Sequence, residues 1–268
     1  MTNRASHWGA LFVWLLLVGG GLASPVWARE CPAAHIDERS AVAQVVDGDT
    51  LHLKDGRAVR FIGINSPEIG RDGKASEPLA EEARDALKAM LGDNAVVGLS
   101  YGRERKDRYG RLLAHVYLAD GDSVEARLLA AGLAAQIIMP PNVAQLDCYQ
   151  AAERRARQAG KGVWQSIYRP TPVAQLGREV RGFRIVTGRI ARVGESKRSL
   201  WLDFQRRPGE GPREGVAVRI ARKDLAQFPD WQPQTLRGKT ITVRGWIYSY
   251  KRQQVIRVRH PASMEVEP

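Results

Sequence analysis

Three short apolar stretches, Ala41–Val46, Thr50–Lys54 and Ala58–Ile64, read as β-strands, and the turns between them restrict how they can pair. Lys54-Asp55-Gly56-Arg57 carries the Asp-Gly signal of a tight hairpin between the second and third. Asp47-Gly48-Asp49 is a second tight turn, and it sets two carboxylates at the mouth of an apolar strand pair. Two further strands are expected at Ala95–Tyr101 and Leu112–Leu118. A helix is predicted from Ser76 as N-cap to a stop at Gly92, with Leu79, Ala83, Leu87 and Met90 on one face. Others are predicted at Val124–Ala131 and Val143–Ala159, the latter stopped by Gly160. Five short strands with interspersed helices fit a mainly β fold with some α, an OB-type barrel with packed helices.

The order recurs later in the chain. Strands at about 183–193, 199–204, 215–220, 239–248 and 254–259, with a short helix at 222–228, suggest a second, smaller OB-like β-barrel. The boundaries expected are 29–170 for the first domain, 171–181 for a proline-containing linker and 182–268 for the second. Charge divides the same way. Residues 29–177 hold 20 Lys/Arg and 20 Asp/Glu, whereas residues 178–268 hold 20 and 9. The chain's excess of +12 therefore sits almost wholly in the last third, which points to a polyanion partner for that part.

Residues 1–28 read as a signal peptide, with Arg4, an apolar run from Leu11 to Val18, and Val26-Trp27-Ala28 as the cleavage site. The run is short for a membrane span, so a periplasmic or secreted protein without stable membrane insertion is expected. Cys31 and Cys148 are then candidates for one disulfide. Neither they nor the five histidines show zinc-finger spacing.

Several polar residues fall at strand ends or adjoining turns: Asp47, Asp49, Arg60, Glu68, and Asp107, Tyr109 and Arg111 of "DRYGR". Converging on one rim, they form a coherent set. Guanidinium groups match phosphate oxygens and the extra charge of a five-coordinate phosphorus. Carboxylates suit a hard cation, and a glutamate can activate water. That combination suits metal-assisted phosphodiester hydrolysis.

In order along the chain, "VVDGDTLHL", "VRFIGINSPE", "KDRYGRLLAHVYLADG", "VEARLLAAGLA" and the closing Gly162-Val163-Trp164 resemble the staphylococcal (micrococcal, thermo-) nuclease family over roughly residues 41–164. The resemblance implies an OB-fold barrel with helices that hydrolyses DNA and RNA with Ca2+. It implies Arg60 and Arg111 as phosphate-binding arginines, Glu68 as general base, and Asp49 as a calcium ligand. Ser66 would supply a backbone carbonyl, Asp47, Thr50 and Asp107 local support, and Tyr109 a substrate contact. Asn65 stands where the family has a calcium-binding aspartate, so weaker or altered metal preference is expected. The loop holding Ile137, Ile138 and Met139 lacks the family's base-stacking tyrosines.

In the second domain, alternation places Ile241, Val243 and Ile247 inward, and Arg244, Trp246, Tyr248 and Tyr250 outward. Arg257 and Arg259 fall outward on the next strand. Aromatic rings among arginines suit single-stranded nucleic acid. The expectation is an exported monomeric nuclease whose basic domain holds the substrate. The competing readings are a non-catalytic nucleic-acid-binding protein on a nuclease scaffold, and an envelope protein binding acidic polysaccharide or lipid head groups.

Overall fold

The computed structural model describes residues 31–211, 214–229 and 231–267. The leader read at 1–28 lies outside them.

Fourteen strands occur among the described residues: β1 (Glu38–Asp47), β2 (Thr50–Leu53), β3 (Ala58–Phe61), β4 (Ile64–Asn65), β5 (Val96–Lys106), β6 (Leu112–Tyr117), β7 (Ala135–Gln136), β8 (Thr171–Pro172), β9 (Gly182–Glu195), β10 (Ser199–Phe204), β11 (Val216–Ala221), β12 (Thr240–Tyr250), β13 (Gln253–Val258) and β14 (Met264–Val266). The helices are α1 (Ala80–Leu91), α2 (Val124–Ala131) and α3 (Leu146–Gln158). None is long and apolar enough to cross a membrane.

Strands β1-β2-β3-β6-β5 form a closed barrel. All its pairs are antiparallel except β3 with β6. Alternating apolar residues, Leu51, Leu53, Val59, Phe61, Val97 and Leu99 among them, fill its interior. Helix α1 buries Ala80, Ala83 and Leu87. Its predicted cap was one turn early: Leu79 occupies the N-cap position, because the Ser76 hydroxyl accepts from Gly70 N at 3.2 Å within the preceding loop. Helix α2 has the predicted limits, with Ser123 Oγ accepting from Ala126 N. The third strand is shorter than expected. Gly63, at φ +83°, turns the chain so that β4 pairs with β7 beneath the barrel's edge. Cys31 is bonded to Cys148 on α3, with Cα atoms 5.6 Å apart.

The second unit closes as β9-β10-β11-β13-β12, with β12 returning to β9 and β11–β13 as the one parallel pair of that ring. Strands β8 and β14 extend the sheet. The segment read as a linker is packed. Strand β8 pairs with β9, and Val173 and Leu176 join the second core. Between the barrels, Tyr168, Phe183 and Ile185 share an apolar cluster with Trp164 and Ala135.

Candidate active site

The Asp47–Thr50 turn is built to bring carboxylates close to the barrel wall. A register shift between Val45 and Asp47 re-aims the end of β1. Asp49 N then donates to Asp47 Oδ1 at 3.0 Å. Gly48 is obligatory, because a Cβ there would lie 2.3 Å from Ser66 Oγ and 2.8 Å from the Ala83 side chain. Helix α1 and the Ser66 loop are thereby seated directly against the turn.

Asp49 is buried and fully engaged. Its Oδ2 accepts from Ser66 N at 2.7 Å and lies 3.0 Å from Arg60 Nη2, and its Oδ1 accepts from Thr50 Oγ1 at 3.1 Å. Burial pushes this carboxyl above the usual range. Arg60 pulls against that shift, and the Asp47 carboxylate adds to it. Arg60 itself is only 8% exposed, with Nη1 donating to the carbonyls of Phe61 and Ile64, both at 2.9 Å. Glu68 reaches into the open. Partial loss of hydration and then the Asp47 carboxylate hold it above the ordinary range.

These groups border a cleft of about 500 Å³ lined by Asp47, Thr50, Glu68, Lys74, Glu77 and Arg111. Arg111 is half-buried and held at 2.7 Å by Asp107 Oδ2. Asp107 Oδ1 accepts from Tyr109 N and Arg111 N at 2.9 and 3.0 Å, which fixes the turn. Its carboxyl loses hydration, but the hydrogen bonds from Arg111 and Tyr109 and the Arg111 charge together outweigh this and lower its pKa. Gly110 at φ +83° completes that turn. Tyr109 is 68% exposed, with the Arg111 guanidinium 5.6 Å from its ring centre.

The structure therefore brings Asp47, Asp49, Thr50, Arg60, Ser66, Glu68 and Arg111 to one end of the barrel. Asn65 is the exception within the motif. Its side chain is buried, its Oδ1 accepts from Arg60 Nη2 at 3.1 Å, and its Nδ2 donates to Tyr168 Oη at 2.8 Å and to Ser66 O at 3.3 Å. Both ends of the amide are engaged in these contacts. Among the described residues, the acidic groups suit a hard cation in charge but form no side-chain cage for one. Asp47, Asp49 and Glu68 crowd negative charge that such an ion relieves, although no three metal-ligating side chains converge among the described residues. Water and substrate oxygens would have to complete its shell.

The second barrel departs further from expectation. Arg244 does point outward from β12, but into the other barrel. It is buried, its Nη1 lies 2.7 Å from Glu153 Oε2 of α3 and donates to Gln136 O at 3.2 Å, and its Nη2 is 3.3 Å from Glu265. It is therefore an inter-barrel residue with no open face for nucleic acid. Trp246, 40% exposed, packs edge-on to Phe183 at 5.2 Å. Tyr248 is half-buried. Arg257 and Arg259 are drawn to Asp224, at 2.9 and 3.6 Å. Tyr250 keeps an exposed ring, stacked on Trp201 at 6.0 Å, with Lys251 over the first ring and Arg219 over the second. Trp201, Arg219 and Lys251 escaped the sequence reading. Alternation in β10 could have flagged Trp201, since Leu200 and Leu202 on either side of it face the core.

Comparison with known proteins matches residues 58–166 to the family described as staphylococcal nuclease homologue. The chain is 34% identical to the thermonuclease of Staphylococcus hyicus over 128 residues, covering 47% of this chain and 75% of that protein. It is 35% identical to the thermonuclease of Staphylococcus intermedius over 131 residues, 48% of this chain and 77% of that one. It is also 30% identical to endonuclease YhcR of Bacillus subtilis over 200 residues, 70% of this chain but only 16% of that protein's length.

Proposed function

This chain belongs to the staphylococcal nuclease family of hydrolytic nucleases, and from that premise we propose a calcium-dependent endonuclease in which the first barrel cuts DNA or RNA and the second retains it. The observation that carries the proposal is the shared cleft. Asp47, Glu68 and Arg111 line it, with Asp49 and Arg60 directly behind. Asp47, Asp49 and the Ser66 carbonyl would hold the cation. When bound, it would supply positive charge to a phosphoryl oxygen and lower the pKa of a nearby water.

The chain's own groups account for the rest. Arg111, preset by Asp107, meets a phosphate in the cleft and offsets the charge that grows on it during attack. Glu68, held above the usual carboxylate range, takes the proton of the attacking water. Arg60 acts from beneath, holding Asp49 and the Phe61–Asn65 turn. The basic second barrel provides electrostatic retention, and the Trp201–Tyr250 pair with Arg219 and Lys251 is the surface best suited to unpaired bases. The Cys31–Cys148 bond supports residence in an oxidising compartment.

The test is degradation of single-stranded DNA and RNA in millimolar calcium, in other divalent ions and in chelator, with Glu68→Gln alongside. Metal-dependent cutting abolished by the substitution is expected. No cutting in any ion, with salt-sensitive binding intact, would leave a binding protein on a nuclease scaffold.

A further inference from the structure

Tyr168 belongs to no part of the cleft, yet it is one contact away from the residue that secures Arg60. It is wholly buried, and its hydroxyl receives the Asn65 amide at 2.8 Å. Its ring packs edge-on to Phe183 at the start of β9, 5.2 Å between centres. Phe183 packs on Trp246 of β12 at the same distance. On the other side, Asn65 Oδ1 takes a hydrogen bond from Arg60 Nη2, the nitrogen that also lies 3.0 Å from Asp49. A continuous run therefore leads from the second sheet through three rings and one amide to the Arg60–Asp49 pair.

An amide suits the Asn65 position because it accepts at one end and donates at the other. Arg60 requires the acceptor, and the Tyr168 oxygen takes the donor. A carboxylate could not donate, and it would add a further negative charge beside Asp49. A second thread runs parallel to the first. Arg184 of β9 lies 3.6 Å from Glu77, whose Oε2 accepts from Glu68 N at 3.0 Å.

We propose that Tyr168 is a positioning residue for phosphodiester cleavage: it clamps Asn65, which fixes Arg60 against Asp49, so that the docked second barrel completes the site in the first. The proposal rests on the nuclease reading above. Removing only the hydroxyl leaves the Asn65 amide with its long bond to Ser66 O, and a buried donor left poorly satisfied loosens its neighbours.

The experiment is a double-mutant cycle in the full chain, with Tyr168→Phe, Asn65→Ala and the pair, measured as kcat and KM on a dinucleotide. Leu202→Ala in the second core serves as a control that lowers Tm without touching this run. Tyr168→Phe is expected to lower kcat about 10-fold with KM little changed, the scale of one lost buried hydrogen bond. The double variant should fall no lower than Asn65→Ala alone, and Leu202→Ala should keep its kcat. A wild-type kcat in Tyr168→Phe, or losses that multiply in the pair, would overturn the proposal. Should the wild type cut nothing, the nuclease reading fails separately, and the same cycle is read on hydrogen exchange of the Arg60 guanidinium by NMR. There, faster exchange in Tyr168→Phe that adds nothing in the Asn65→Ala background supports the clamp, and unchanged exchange refutes it.

Discussion

The two barrels have the same topology and almost no shared chemistry. Each closes five strands in the order first, second, third, fifth, fourth, and in each the third and fifth strands form the one parallel pair of the ring. In the first barrel the turn joining the opening strands is Asp47-Gly48-Asp49-Thr50, packed against α1 and bearing the acidic pair. In the second, the corresponding turn is Ser196-Lys197-Arg198, held by Ser196 Oγ accepting from Ser199 N, with no carboxylate of its own and only the Arg222 end of a short 3-10 helix bonded to it. The first barrel and its helices bury Asp47, Asp49, Arg60, His115, Glu125 and the inter-barrel Glu153, whereas in the second Asp224 and the inter-barrel Arg244 are the buried charged residues described. The comparison shows that the strand frame is indifferent to reaction chemistry. Catalysis depends on what the turns present, and the first barrel concentrates polar groups that the second lacks.

The largest predicted effect tests that contrast directly. Arg111→Ala should lower kcat by roughly 10²–10³-fold, the cost of one lost donor to a charged transition state. Arg219→Ala, at the second barrel's face, should leave kcat on a dinucleotide unchanged, so equal losses in both would dissolve the distinction. Next comes the seam. Arg244→Ala strands Glu153 and should cost about 3–5 kcal/mol by urea titration, in one transition shared by both barrels. Two separate transitions, with the first unmoved, would mean the barrels fold independently.

Acid should discriminate the barrels as well. Burial lowers His115 from 6.5 to about 4, in a site where its Nδ1 meets Tyr149 Oη at 2.9 Å. Between those values the unfolded chain binds a proton at this position that the folded chain refuses, so the His115 contribution to stability falls as pH drops from 6.5 toward 4. That difference is worth on the order of 3 kcal/mol. The Tm of His115→Gln relative to the wild type should rise as pH drops over this range in thermal melts. The smallest effect concerns retention. Trp201→Ala should weaken single-stranded DNA binding by about 1–3 kcal/mol in a salt-controlled titration, with less change for duplex. Equal weakening for both would point to charge alone.

The sequence displayed the features that local physics determines. The Asp-Gly hairpin, the limits of α2 and the five-strand count follow from turn chemistry and periodicity, and they place Asp49, Glu68 and Arg111 at one rim. What it concealed is long-range. Alternation correctly put Arg244 and Trp246 on the outer side of β12, but it reports which side of a strand a residue takes, not what lies there. For Arg244 that neighbour is Glu153, far away along the chain. Tyr168 sits among prolines with no pattern around it, and only its partner Asn65, 103 residues earlier, gives it meaning. For Asn65 the motif supplied a family role, while its amide contacts to Arg60 and Tyr168 were invisible.

The bond between Cys31 and Cys148 spans 117 residues, a separation at which such a link restricts the unfolded chain by about 4–5 kcal/mol. It encloses all five strands of the first barrel, together with the exposed 71–76 loop beside the cleft. A protease that severs that loop would therefore produce two peptides but a single covalent body. The acidic turn and the Arg111 hairpin, on opposite sides of the cut, could not drift apart. Such a molecule tolerates a nick at its own doorway, and loses that tolerance in a reducing medium.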